Sequence, residues 1–99
     1  DRAAQYVQDN YAEDLSLDEV ARASGLSKYH FLRTFTHDMD ITPHAYLIQI
    51  RVREATRLLR AGHSISDAAL SVGFADQSHF TRCFKRTMGV TPHAFLTAA

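Results

Sequence analysis

The sequence contains two copies of one segment. Residues 30–47 read HFLRTFTHDMDITPHAYL and residues 79–96 read HFTRCFKRTMGVTPHAFL, and ten of these eighteen positions are identical. Upstream, a weaker match continues at an offset of 48 instead of 49, which indicates one extra residue in the turn of the second copy. Two copies are too few for a solenoid, which needs about three stacked repeats or more. The repeat therefore predicts two small units of the same kind.

Residues that are typical of helix starts and helix ends occur along the whole chain and divide it into helical segments. Apolar residues recur at helical spacing, Ser16, Ser27, Ser64 and Asp76 are good N-cap residues, and Thr42-Pro43 and Thr91-Pro92 are typical helix starts. Ser16 also stands three residues before Glu19, the spacing of a capping box. Each of the four glycines follows a predicted helix. These signals predict an all-α chain with helices over about 1–12, 17–24, 28–38, 43–61, 65–72 and 77–87, and a short one that opens at Thr91-Pro92.

Aromatic residues predict the core of each copy. Phe31 and Phe35 lie one helical turn apart, and so do Phe80 and Phe84, so each pair faces inward. Cys83 shares the inward register, and the two methionines are also expected in the core. The 43–61 helix has an apolar stripe that both units are expected to share: Leu47, Ile48, Ala55, Leu58 and Leu59.

Arg51 lies on this apolar stripe, between Leu47 and Ala55. A buried arginine needs a partner. The sequence offers Glu54 on the same helix, and Glu19 or Asp67 elsewhere, and does not choose among them.

Each copy is a short helix, a tight glycine-containing turn and a longer helix. This is the layout of a helix-turn-helix, although a generic helical hairpin shares it. The outward faces of helices 28–38 and 77–87 carry Arg33 and Arg82 at the same register, among small or flat side chains. An arginine there suits a helix in the major groove, where its guanidinium pairs with guanine O6 and N7.

The charge is balanced overall but unevenly distributed. The formal net charge is zero, yet residues 1–19 hold six acidic side chains and one basic one. Residues 20–99 hold ten basic and five acidic side chains. A polyanion would meet a basic body with an acidic N-terminal end, which favours nucleic-acid binding modestly.

Several classes of function lack support in the sequence. A single cysteine excludes an internal disulfide framework. The six histidines show no metal-ligand spacing with acidic support. No nucleophile–base pair, phosphate loop or carboxylate dyad indicates an enzyme or a cofactor, and no apolar run is long enough for a membrane span. The remaining alternatives are a DNA-binding domain and a helical protein-interaction module without DNA binding.

The stretch ISDAALSVGFADQSHFTRCFKRTMGVTPHAF, residues 65–95, carries a family resemblance. Its GF, DQSHF, R-x-F-K-R and G-V-T-P elements, at these distances, resemble the DNA-binding domain of the AraC/XylS family of bacterial transcription regulators. The resemblance covers residues 5–97. It implies seven helices in two helix-turn-helix subdomains, 1–41 and 62–99, joined by a central helix over 42–61. It also implies that the two recognition helices, about 28–38 and 77–87, enter successive major grooves of double-stranded DNA.

The resemblance assigns candidate DNA contacts residue by residue. In the first recognition helix these are Lys28, Tyr29, Leu32 and Arg33, and in the second Gln77, Ser78, His79, Thr81 and Arg82, with Lys85 on the same outward face. Leu32 differs from the others because leucine cannot form a hydrogen bond to a base. It is therefore expected to contact a thymine methyl group or to turn toward the core. Tyr29 is either a base contact or a half-buried rim residue.

The resemblance also sets the wider context. It implies a cytoplasmic regulator, with RNA polymerase as a further candidate partner. The absent start methionine favours a fragment of a longer chain, whose other part would hold an effector-binding or dimerisation domain.

Overall fold

A computed structural model describes residues 2–98, and within them the chain forms seven α-helices and no strand. The helices are α1 (Arg2–Asn10), α2 (Leu17–Ala23), α3 (Lys28–Met39), α4 (Pro43–Arg60), α5 (Ile65–Ser71), α6 (Gln77–Met88) and α7 (Pro92–Thr97). The prediction of an all-α chain of seven helices is confirmed. Among residues 2–98, none of the helices combines the length and the hydropathy that crossing a membrane requires.

Side chains close the start of six helices in the same way. In each, the N-cap oxygen accepts a hydrogen bond from the backbone N–H three residues later, which satisfies one of the unpaired donors of the first turn. The pairs are Ser16 with Glu19 (3.1 Å), Ser27 with His30 (3.3 Å), Thr42 with Ala45 (3.2 Å), Ser64 with Asp67 (3.0 Å), Asp76 with His79 (2.8 Å) and Thr91 with Ala94 (3.1 Å). The carboxylate of Glu19 also accepts a hydrogen bond from the Ser16 hydroxyl at 3.2 Å.

The predicted helix ends are right to within two residues. The largest difference is at α1, predicted over about 1–12, which ends at Asn10; Asp1 lies outside the described residues. Helix α3 runs one residue beyond its predicted end and is closed by Asp40, in the left-handed region at φ +59°. Its counterpart Gly89 closes α6 at φ +83°. Glycine was the stop signal that sequence reasoning used, so the aspartate in this role was missed.

The chain divides into two compact units, Asp1–Ile50 and Arg51–Ala99, called here the first and the second unit. The core of the first unit contains buried side chains from four helices: Ala3, Ala4, Val7, Val20, Ala21, Phe31, Phe35, Leu47 and Ile50. The rings of Phe31 and Phe35 are 5.5 Å apart, and Tyr46 lies 5.6 Å from Phe35. The Tyr46 hydroxyl accepts a 2.7 Å hydrogen bond from Gln8 Nε2, which ties α1 to α4.

The second unit repeats this aromatic arrangement. The centroids of Phe80 and Phe84 are 5.5 Å apart, and Phe95 lies 5.6 Å from Phe84. Phe74 extends the cluster at 5.3 Å from Phe80. Cys83 is buried beside them, as its inward register predicted. Aromatic pairs at these separations contribute about 0.5–1.5 kcal/mol beyond the area that they bury.

The methionine prediction is wrong at Met88. Met39 and Met88 are each the last residue of their helix, four residues after the last buried phenylalanine, so they share one helical register. Met39 is half-buried against the first core, whereas Met88 is 39% exposed.

The apolar stripe of α4 is only partly as predicted. Leu47, Ala55 and Leu59 are buried, but Ile48 and Leu58 are half-buried. The buried residues that the pattern missed include Ile50 in the first unit and Val52 in the second.

Arg51 is buried, as its place on the apolar stripe predicted, with 8% of its surface exposed. Its guanidinium carbon lies 5.6 Å from the ring centroid of Phe74. The structure therefore identifies an aromatic face as a neighbour of this cation, a partner type that the sequence reasoning did not consider.

Candidate nucleic-acid interface

Both copies close their helix-turn-helix turn with the same backbone hydrogen bonds. In the first, Leu26 N–H donates to Ala21 O at 3.1 Å and Gly25 N–H donates to Arg22 O at 3.0 Å. In the second, the corresponding bonds run from Phe74 to Ala69 and from Gly73 to Leu70. This pattern is a Schellman motif, whose C′ residue adopts positive φ. Gly25 and Gly73 have φ of +73° and +105°, values that favour glycine at these two positions.

The second turn is one residue longer than the first. Four residues separate α2 from α3, and five separate α5 from α6. The shift in the repeat offset therefore lies where the sequence placed it, between the two helices of the second motif.

The face of α3 presents the four residues predicted from the first copy. Lys28, Tyr29, Leu32 and Arg33 are all exposed. Tyr29 is 71% exposed, so it is not a half-buried rim residue in this structure. The guanidinium carbon of Arg33 lies 5.7 Å from the Tyr29 ring centroid, one turn away. This cation–π contact gives the arginine a preferred direction along the helix face.

The face of α6 presents most, but not all, of its predicted residues. Gln77, Ser78, Arg82 and Lys85 are exposed, and Thr81 is half-buried.

His79 differs from the other predicted contacts on α6. Its side chain is half-buried, and its ring meets Phe74 edge-on, with 5.3 Å between centroids and 84° between planes. Its backbone N–H donates to the Asp76 carboxylate that caps the helix. These contacts fit a residue that fixes the start of α6 better than a freely projecting base contact.

Sequence reasoning missed Arg86, an exposed cation in the last turn of α6. It lies beside Lys85 and one turn after Arg82, so the three cations follow one side of the helix. The R-x-F-K-R element contained the signal, because its last arginine is Arg86. In the first copy, Thr36 and His37 correspond to Lys85 and Arg86.

The two units carry opposite charge. The first contains eight acidic and four basic side chains, a formal net charge of −4, and the second contains three acidic and seven basic ones, a net charge of +4. Electrostatic attraction to phosphate is therefore concentrated in the second unit. In the first unit, the cations of the predicted interface are confined to Lys28 and Arg33.

Not every arginine of the second unit belongs to the α6 face. On α4, the Nε atoms of Arg57 and Arg53 lie 3.1 Å and 4.0 Å from the carboxylate oxygens of Glu54, and both side chains are about two-thirds exposed. The guanidinium carbon of Arg60 lies 5.2 Å from the Phe95 ring centroid. Within residues 2–98, no three His, Cys, Asp or Glu side chains come together as a possible metal site.

Comparisons with known proteins agree with this geometry. A family model described as a helix-turn-helix domain matches residues 11–98. The chain is 42% identical, over 74 residues, to the uncharacterized HTH-type transcriptional regulator YbfI of Bacillus subtilis; the match covers 75% of this chain and 27% of that protein. The chain thus spans about a quarter of the length of this curated relative.

Two solved structures share the whole fold. The C-terminal domain of AraT, a response regulator from Geobacillus stearothermophilus, superposes with a TM-score of 0.93 at 31% identity, covering 99% of this chain and 83% of that one. The DNA-binding domain of AdpA, a global transcriptional factor solved in complex with a target DNA, superposes with a TM-score of 0.91 at 26% identity, covering 97% and 87% of the two chains.

Proposed function

Because this chain belongs to the AraC/XylS family of helix-turn-helix transcription regulators, we propose that it binds double-stranded DNA of a defined sequence as the DNA-binding part of a bacterial regulator. One observation carries the proposal: two helix-turn-helix motifs closed by the same hydrogen bonds each present an exposed arginine at the same register. A helical hairpin that served packing alone would not require the same exposed cation in both copies. The AdpA domain, which this chain resembles over nearly its full length, was solved with DNA bound.

The second recognition helix has the larger set of polar contacts in this proposal. Arg82 pairs with guanine O6 and N7, while Gln77, Ser78 and Thr81 reach neighbouring base edges or sugars. Lys85 and Arg86 contact phosphates, which adds affinity that does not depend on sequence. His79 acts indirectly, by packing on Phe74 and holding the start of α6.

The first recognition helix reads DNA with fewer charges. Arg33, directed along the helix by Tyr29, is the candidate guanine contact, and Lys28 reaches a phosphate or a base at the start of α3. Leu32 offers an apolar surface that suits a thymine methyl group.

The proposal also concerns the whole regulator of which this chain would be the DNA-binding part. A family member of this kind acts in the bacterial cytoplasm, and RNA polymerase is its expected partner at a promoter. We assign an effector-binding or dimerisation domain to another part of the protein, because the chain spans only 27% of the length of YbfI. The proposal gives this chain no catalytic step and no cofactor.

Selection from random double-stranded DNA tests the function directly. We expect the chain to enrich one asymmetric sequence and to bind it at least about a thousandfold more tightly than random DNA. The matched comparison is Arg82→Ala against Arg53→Ala, the same change at an exposed arginine outside both recognition helices. Arg82→Ala should weaken the selected complex by about 1–3 kcal/mol, and Arg53→Ala by much less. A chain that enriches no sequence, and whose weak binding ignores salt, would instead support a protein-interaction module.

A further inference from the structure

A small apolar pocket opens beside the first recognition helix. Its volume is about 160 Å³, and six aliphatic side chains form most of its wall: Val7, Leu15, Leu17, Val20, Leu32 and Leu47. All of them belong to the first unit. Leu32, which lies on the exposed face of α3, thus also forms part of the pocket. This placement explains why an apolar residue stands where the second copy has a hydroxyl.

The internal repeat shows that the fold does not require every apolar residue of this wall. The second copy keeps aliphatic residues at two of the wall positions, Ile65 for Leu17 and Leu96 for Leu47. It carries smaller or more polar residues at three others: His63 for Leu15, Ala68 for Val20 and Thr81 for Leu32. Its helices and turns are nevertheless built in the same way. Leu15, Val20 and Leu32 therefore make the pocket of the first copy more apolar than the shared backbone requires.

Three polar side chains line the pocket, of which Ser16 and Thr42 are already engaged and His44 is exposed. The Ser16 hydroxyl bonds to Glu19, and the Thr42 hydroxyl accepts from the N–H of Ala45. A water molecule needs about two to four polar partners, so this pocket is a poor site for ordered water. Enclosed apolar cavities of about 150 Å³ in other proteins bind benzene, and this pocket has a similar volume although it is open to solvent on one side. The size and lining together select an apolar molecule of a similar size.

Charge near the pocket argues against an anionic ligand. Glu13, Asp14, Asp18 and Glu19 are exposed on either side of the 15–17 segment, which forms part of the wall. Four carboxylates repel an anion, and they have no effect of this kind on an uncharged molecule.

We propose that this pocket binds a small uncharged apolar molecule, about the size of a substituted benzene, and that the molecule competes with DNA at the face of α3. The first part stands on the pocket alone. The second rests on the proposed function, because Leu32 belongs both to the pocket wall and to the candidate DNA contacts. A bound molecule that reaches Leu32 alters the apolar surface that would meet a thymine methyl group.

Toluene titration followed by amide NMR tests the first part. We expect saturable shifts in residues 15–20 and 42–47, with a dissociation constant on the order of 1 mM for a ligand of this size. Leu15→His, which introduces the residue of the second copy, should weaken binding by about fivefold or more because it places a polar group in the wall. Leu70→His makes the same change at an exposed leucine of the second unit and should leave the affinity unchanged.

The outcomes that overturn the site are distinct. Shifts that do not saturate, or that are spread over the whole chain, would reject it, as would equal affinity in a folded Leu15→His variant. If that variant does not fold, Leu17→Phe, which fills the pocket, must reduce toluene binding. Benzoate, the charged counterpart of toluene, should bind more weakly, and tighter binding would refute the choice of an uncharged ligand.

A DNA titration tests the competition. At a toluene concentration equal to its dissociation constant, the apparent dissociation constant for the selected DNA should rise about twofold. No change at saturating toluene would overturn the competition but leave the pocket intact. If the chain binds no DNA, the proposed function fails, while the NMR titration still decides whether the pocket is a site.

Discussion

Removing two cations from α6 should reveal how strongly the second unit relies on phosphate contacts. The change is Lys85→Gln with Arg86→Gln, in the last turn of the helix. Glutamine is shorter, but it is an unbranched polar residue of similar helix propensity, so the charge is the main property that changes. Both residues are exposed, and neither is part of the aromatic core, which makes a loss of folding unexpected.

The expected loss follows from counterion release. Each phosphate contact lowers the slope of log affinity against log salt by about 0.9. At about 0.15 M salt, one contact therefore contributes about fivefold in affinity, or about 1 kcal/mol, and two contribute about thirtyfold. The loss should be the same on the selected sequence and on random DNA, because phosphates carry no sequence information.

Fluorescence anisotropy at several salt concentrations measures both quantities. The double variant should lose about 1.8 from its salt slope and keep its base preference. Arg53→Gln with Arg57→Gln serves as the matched control, since it removes two exposed arginines that flank Glu54 on α4. An unchanged slope in the α6 variant, or an equal drop in the control, would refute the assignment of phosphate binding to the end of α6.

Five single substitutions test base recognition and stability. Arg82→Ala and Arg33→Ala should each relax the preference at one base pair in a selection experiment, and equal weakening on specific and random DNA would reassign both to phosphates. Gly89→Ala should destabilise the chain by about 1 kcal/mol in urea denaturation, purely through its left-handed backbone, because no atom lies within 4 Å of the added Cβ. Leu59→Ala should cost about 2–5 kcal/mol at a site that is 3% exposed, while Leu70→Ala on the surface should stay within about 0.5 kcal/mol; similar melting temperatures for the two variants would contradict the assigned core.

The fold could be predicted from the sequence because local signals and the repeat agree. Ser27 and Asp76 cap α3 and α6 as their positions indicated, and the phenylalanines at helical spacing are buried. Asp40 could not be predicted as a helix end, since an aspartate enters the left-handed region less readily than glycine and has no dedicated signal. Met88 was misplaced because helical register alone does not fix burial at the last residue of a helix: Met39, at the same register, is half-buried.

For the candidate site, the sequence could predict which residues lie on the exposed face of each recognition helix, but not which other residues they contact. Helical periodicity placed Arg33 and Arg82 on exposed faces, because side-chain direction on a helix depends on spacing alone. Contacts between distant residues were beyond this reasoning: the His79 ring against Phe74 depends on how the turn brings two segments together. The pocket beside Leu32 depends in the same way on the packing of four helices.

The two copies diverge in surface chemistry while keeping the residues that form the backbone. Several positions that start helices or fill the core are identical in both copies, from Phe31 and Phe80 to the threonine–proline starts of α4 and α7. On the outer side of the recognition helices the copies differ: half-buried Thr36 and exposed His37 in the first copy correspond to Lys85 and Arg86 in the second. The fold constrains the residues that start helices and fill the core. The residues on the outer side of the recognition helices are not constrained in this way, so the two copies can differ there in charge. A strongly cationic unit supplies attraction to any DNA, and an acidic unit with an apolar reading face gains affinity only where the local contacts fit. We therefore expect the second unit to supply most of the affinity for DNA and the contribution of the first unit to depend mainly on the DNA sequence.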